Sequence, residues 1–350
     1  MAQTRSSTTV RKPDARLTRG ARRTSSPYLV YALQRVAQAV AVVLLAYCFT
    51  FLVISVLPGD PVTNTLRNPE NNFTEEEIAR IVAYYGLDQP VHVQLWESLS
   101  RFLTGDLGVS LRSNLPVSRL IGEIIGSTLV LAVSALVVAV VLAFGIAYGT
   151  RNLPAPLARP LRAFPSLFLS VPNFVIGLLL INIFAFQLGL FQVIDSEGPA
   201  ATFFAAVALG IPVSAQIAEV LIANLDHEAR QEYAGFATSR GLSRSRLFWR
   251  HLLKPSSLPV VTVVALTVGE LLGGALITET IFGRTGVGSL VQRSVTTQDL
   301  PVLQAVVVLA AITFVVVNLV VDLVYPLLDP RVDLRGATKR VRPVTEGASA

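Results

Sequence analysis

The chain has 350 residues, 52% of them hydrophobic and 15% charged, with a formal net charge of +6. Soluble domains carry about 25% charged residues; here the apolar residues are also gathered into long runs, which excludes an ordinary soluble globular domain. The single Cys48 and three scattered histidines, His92, His227 and His251, exclude a disulfide framework and a cysteine or histidine metal site.

In chain order, residues 1–27 are rich in Ser, Thr and Arg and predict a disordered basic arm. The first apolar run, Leu29–Leu57, is broken by Arg35. It exceeds the roughly 7–15 residues of a signal-peptide core, and Pro58-Gly59-Asp60-Pro61 follows in place of a cleavage site, so it reads as a retained span. A long segment, 58–127, separates it from the next run. Thr74 and Glu77 there form a capping-box pattern ahead of Ile78, Ile81 and Val82, and Gly86 stands where that helix ends. Leu95, Trp96, Leu99, Phe102 and Leu103 share one face of a second short helix. Val117, Leu120, Ile121, Ile124 and Ile125 form a third apolar stripe that leads into the second span. Helices of this kind commonly lie in the membrane interface, and they predict a structural collar.

Five more runs follow, near 128–149, 164–188, 202–222, 258–282 and 303–327, each of the length that a bilayer's hydrocarbon core demands. Pro172 and Pro212 are expected to kink theirs. Six spans place both termini on one side. Of the 29 Lys and Arg, 22 fall on that side, so both termini are expected to be cytoplasmic and the long segment external. The positive balance is thereby explained by topology, with no nucleic-acid partner.

None of Lys12, Lys254 and Lys339 follows a glycine, so no Gly-Lys-Ser/Thr phosphate loop exists. Gly-x-Ser-x-Gly and His-Glu-x-x-His are also absent, which argues against an enzyme. The most patterned segment is the cytoplasmic loop 224–257. It contains Glu232-Tyr233-Ala234-Gly235-Phe236-Ala237-Thr238-Ser239-Arg240-Gly241-Leu242, then Phe248, Arg250-His251 and Leu253-Lys254. Asp226 is expected to cap a helix that Gly241 ends, and a second short helix is expected over 244–253.

This loop resembles the coupling loop of ABC-importer permeases, specifically the dipeptide/oligopeptide family in the subunit with the long first external loop. Gly241, Leu242, Phe248, Leu253 and Lys254 match later positions of the permease motif, and Glu232-Tyr233 resembles its start in peptide permeases; Gly235 and Phe236 depart from the usual polar and small residues. The likeness extends through Tyr85-Gly86-Leu87-Asp88, Gly105-Asp106-Leu107-Gly108, Pro172-Asn173-Phe174-Val175-Ile176-Gly177, Glu279-Thr280-Ile281-Phe282, Gly286-Val287-Gly288 and Asp299-Leu300-Pro301, with Thr285 at a common Pro position.

The resemblance implies an all-α, six-span, type I ABC-importer permease fold in a bacterial inner membrane, with no cofactor of its own. It further implies a second homologous permease subunit, two ATP-binding subunits or domains, and an extracytoplasmic solute-binding protein. Coupling to the ATPases would involve Glu232, Tyr233, Ala237, Arg240, Gly241, Leu242 and Phe248. Arg240, Arg244 and Arg250 either touch the ATPase or serve topology and lipid headgroups.

An acid at a helix centre costs about 2.5–3.5 kcal/mol on insertion scales, so such groups face protein or water. Glu219, Glu270 and Glu279, with Asn173, therefore mark either the translocation path or a subunit interface; Asp322, Asn182 and Gln216 are further polar groups within spans. Gly269-x-x-x-Gly273-Gly274 permits close helix approach beside Glu270. The competing reading is a self-sufficient secondary transporter in which Glu270 or Asp322 relays protons, but no inverted repeat is visible. A membrane scaffold or receptor would leave the patterned cytoplasmic loop unexplained.

Overall fold

The computed structural model describes residues 27–56, 74–85 and 89–328. Pro58-Gly59-Asp60-Pro61, Gly86-Leu87-Asp88, the arm up to residue 26 and the tail from 329 lie outside the described residues. Twelve α-helices are described: α1 Pro27–Val56, α2 Glu75–Tyr85, α3 Val91–Leu103, α4 Val117–Asn152, α5 Ala155–Leu169, α6 Asn173–Leu180, α7 Pro199–Glu228, α8 Glu232–Ser239, α9 Arg244–Leu247, α10 Leu253–Ile281, α11 Val287–Thr296 and α12 Leu300–Leu328. Two π-helical segments, Ile181–Gln187 and Phe248–Leu252, extend α6 and join α9 to α10. Among the described residues the only β-type pairing is a bridge between Val109 and Pro116.

Five helices are long and apolar enough to cross a membrane, and the bent pair α5–α6 makes a sixth candidate. This pair reaches from one end of α7 to the other. Arg162 in α5 meets Asp226 at the end of α7, whereas Phe191, beyond α6, stacks on Phe204 near the start of α7 and on Phe282 after α10. The chain thus traverses the bundle six times. One end, the loop end, holds α8 and α9 with the Arg35–Asp322 ion pair; the other, the collar end, holds α2, α3 and α11.

In lipid, helices associate by close van der Waals packing because tails are as apolar as side chains. The α4–α7 seam follows that rule. Ala135, Ala139, Ala143 and Ala147 recur every fourth residue of α4, all fully buried in one core cluster with Ala206, Val213, Ile217 and Leu221 of α7. A Cβ on Gly210 would lie 2.8 Å from the Ala135 carbonyl oxygen, so this backbone approach needs glycine. α10 packs beside α7, and α1 pairs with α12 at the flank.

Four expectations change. The third span is not one run: α5 and α6 meet at 111°, and Pro172 stands at the start of α6 rather than inside a kinked helix. Pro fixes φ and disfavours helix in the residue before it, so Ser170-Val171-Pro172 becomes a break. α7, by contrast, runs through Pro212 as one helix. The stripe from Val117 to Ile125 leads into the second span as expected, forming the first turns of α4. At roughly 1.5 Å per residue, this 36-residue helix is about 54 Å long against a core of about 30 Å. It packs Val117 and Ile121 on Leu290 of α11 and Val302 of α12. Finally, Asp226 does not cap the loop helix, because α7 continues to Glu228; nor is 244–253 a separate helix, since α9 and the π segment run into α10.

Candidate functional site

α8 stands between the ends of α7 and α9. Glu232 in its first turn complements the helix dipole. Its end is a Schellman turn: Leu242 N–H donates to Ala237 C=O and Gly241 N–H to Thr238 C=O, with Gly241 at φ +82°. Ser243 Oγ then accepts from Arg246 N–H and starts α9.

One side of this unit is anchored. Ala234 is buried, Ala237 packs on the main core, and Phe248 is 1% exposed with its ring edge-on to Tyr148 of α4. The other side is open: Phe236 is 72% exposed, Trp249 58% and Tyr233 40%. Glu232, Arg240, Gly241, Arg244, Arg246 and Arg250 are exposed around them, and Leu242 is half-buried. The Tyr233 phenol donates to Glu228; burial and that carboxylate push its pKa up to about 12, so it remains a donor. Of the seven residues expected to couple, Phe248 alone is buried within this chain.

The knob is braced from behind. Asp226 accepts from Arg151 at 3.0 Å and from Arg162 at 2.6 Å, tying the ends of α4 and α7 and the middle of α5 into one node. Charge counting assigned both arginines to topology alone, because sequence spacing cannot show a carboxylate 64 and 75 residues away.

The polar groups within spans separate into distinct sites. Gln216 Nε2 donates to Glu270 Oε2 at 2.6 Å, joining α7 to α10 on an exposed face, and Glu219 is exposed one turn along α7. Asn173 lies against Gly274 of α10, and its Oδ1 is buried with no hydrogen-bond partner among the described residues. Asn182 accepts from Gln187. Asp322 pairs with Arg35 at 3.2 Å, a neutralised arrangement unlike a free proton relay.

Glu279 is fully buried within this chain, at the collar end. Its Oε2 accepts from Gly288 N–H at 2.8 Å and from Ser289 N–H at 3.3 Å. Its Oε1 accepts from Thr128 Oγ1 at 2.6 Å, while that hydroxyl oxygen accepts from Val287 N–H. A carboxylate satisfies the unpaired N–H groups at a helix start and complements its positive end. Glu279 therefore caps α11 from α10 and binds α4 into the same knot. Neighbouring Arg284, 4% exposed, donates to Ser196 C=O, Thr202 Oγ1 and Ser127 Oγ. Asp299 accepts from Ser110 Oγ and Leu111 N–H, holding the collar to α12. Sequence reading gave Arg284 no role; its signal was a charged residue between Glu279 and the Gly286-Val287-Gly288 turn.

Residues 135–334 match the family model for the binding-protein-dependent transport system inner membrane component, and residues 28–132 match that for the N-terminal part of such membrane components. The chain belongs to this permease family. A probable peptide ABC transporter permease, y4tP of Sinorhizobium fredii, is 32% identical over 312 residues, covering 87% of this chain and 99% of that protein. The glutathione transport system permease GsiC of Salmonella paratyphi A is 32% identical over 308 residues, with the same two coverages of 87% and 99%. The inward-facing methionine ABC transporter MetNI matches with a TM-score of 0.51 at 18% identity, over 60% of this chain and 96% of that one, a likeness of fold. This permease is thus the membrane subunit of an ABC importer in the inner membrane, not a self-sufficient secondary transporter.

Proposed function

We propose that this permease forms half of the translocation path for peptides or similar small solutes, with α8 as the knob gripped by partner ATPases. The observation that carries the reading is the α8 surface itself. Two exposed aromatic side chains of α8, Tyr233 and Phe236, stand with Trp249 of the π segment and the exposed Arg240, Arg244, Arg246 and Arg250 on a unit anchored by Phe248 and braced through Asp226. Aromatic residues and Arg are the side chains enriched at binding hot spots.

The loop end lies in the cytoplasm, supported by the positive excess on that side. Residues 1–27 form the cytoplasmic arm, 28–330 the permease domain and 331–350 the tail, with 58–127 external and 224–257 the coupling loop. A second homologous permease completes the path, two ATP-binding subunits or domains hydrolyse ATP, and a solute-binding protein delivers cargo. Peptide-like cargo is favoured by the relatives named for peptide and glutathione transport. Asn173, Glu219 and Glu270 line the path or the seam with the second permease.

Docking is tested by placing Phe236→Cys in a Cys48→Ser background and oxidising the assembled transporter with a cysteine in the ATPase groove. A disulfide linking permease to ATPase is expected, and its yield should change between nucleotide-free and ATP-bound states. No crosslink at any groove position would refute docking through α8.

A further inference from the structure

α3 presents two unlike sides. Ser98 and Phe102 face α1, where Tyr47 stacks on Phe102 with ring centroids 4.7 Å apart and its hydroxyl hydrogen-bonds Ser98. Trp96, Leu99 and Leu103 lie at helical spacing on the adjoining flank of the same apolar face, turned away from α1; Trp96 is 70% and Leu103 67% exposed, and no residue of α3 is buried. An apolar stripe this open needs an occupant.

Depth identifies it. The Arg35–Asp322 pair is 39% and 37% exposed, and charges this open belong at a polar boundary of the bilayer. Tyr47 follows Arg35 by twelve residues, or roughly 18 Å of helix at about 1.5 Å per residue. The hydrocarbon core is about 30 Å thick, so Tyr47 and the α3 residues touching it lie roughly 12 Å short of the far boundary. α1 is largely uncovered within this chain: its span is 11% buried, and the apolar Leu45, Phe49, Leu52 and Val53 are open at and beyond this level. The α3 stripe thus continues an apolar surface already at membrane depth, while Glu97 and Arg101 supply the polar side of an interfacial helix.

We propose that α3 is seated in the lipid of the collar-end leaflet, with Trp96, Leu99 and Leu103 against acyl chains and α1 as its support. The seat fixes the height of the collar relative to the bilayer, independent of the solute carried and of which side is cytoplasmic.

The test places the photo-crosslinker p-benzoylphenylalanine at Trp96 in the full-length chain within the assembled transporter, in its own membranes. The same group at Phe49 of α1 is the lipid-facing reference. Illumination should shift the chain by the mass of one phospholipid at position 96, in yield comparable to position 49. An adduct with the solute-binding protein, the second permease or another segment of this chain would overturn the proposal. So would a lipid adduct at 49 with none at 96, which would leave the stripe in water.

Discussion

Gly288→Ala should strip the protein from the membrane, while Gly273→Ala in the preceding helix should leave its level unchanged. A Cβ on Gly288 falls on Leu276 Cα, part of the α10 backbone, and lies 2.9 Å from Glu279 Oε2. The first obstacle is backbone, and the second is a carboxylate pinned by its hydrogen bonds. α11 must therefore withdraw from α10, and withdrawal removes the Gly288 and Ser289 N–H groups from the Glu279 carboxylate. Overpacking costs about 1–3 kcal/mol, and a buried charge stripped of its partners about 3–5 kcal/mol. Together these rival the roughly 5–15 kcal/mol by which folded proteins are stable. A Cβ on Gly273 meets nothing within 4 Å. Immunoblots of membranes and thermal unfolding in detergent read the contrast. Equal levels and equal melting of the two variants would show that the Glu279 knot does not hold the collar end together.

Gly241→Val should leave the permease assembled and abolish most uptake. Space is not the constraint, since a Cβ there meets nothing within 4 Å; the φ of +82° is. A left-handed backbone costs an L-residue roughly 1–2 kcal/mol, and more for a β-branched one. That much energy is a factor of about 5–30 in the population holding the native turn. The Schellman turn sets the exit of α8, so its loss re-aims the knob without disturbing the buried core. ATP-driven uptake should fall by about that factor at normal subunit levels. Gly235→Ala, with open space and no left-handed φ, should transport normally. Full uptake by Gly241→Val would separate α8 geometry from energy coupling.

Much of this architecture was legible because lipid imposes simple demands. Five apolar runs became unbroken spans, and the Thr74–Glu77 capping box formed as its spacing implied, with Thr74 N–H donating to Glu77 and Glu77 N–H to Thr74 Oγ1. Gly241 ended α8 because left-handed turns select glycine. What stayed hidden depends on contacts distant in sequence. Asp226 reads as a cap until Arg151 and Arg162 are seen to converge on it, and Arg284 reads as a loop charge until three remote oxygens surround it. Glu279 looks like an intramembrane acid because the helix start it caps lies beyond a turn, and hydropathy cannot show a bend within a continuous apolar run such as that joining α5 to α6.

The central claim, that this chain is the permease of a binding-protein-dependent importer, is tested most directly by uptake into proteoliposomes. The assembly purified from native membranes is reconstituted with its solute-binding protein and a labelled peptide, with ATP supplied on the loop-end side. Uptake should require ATP and the binding protein and should persist when the proton gradient is collapsed. Uptake by this chain alone, driven by a proton gradient without ATP, would contradict the account.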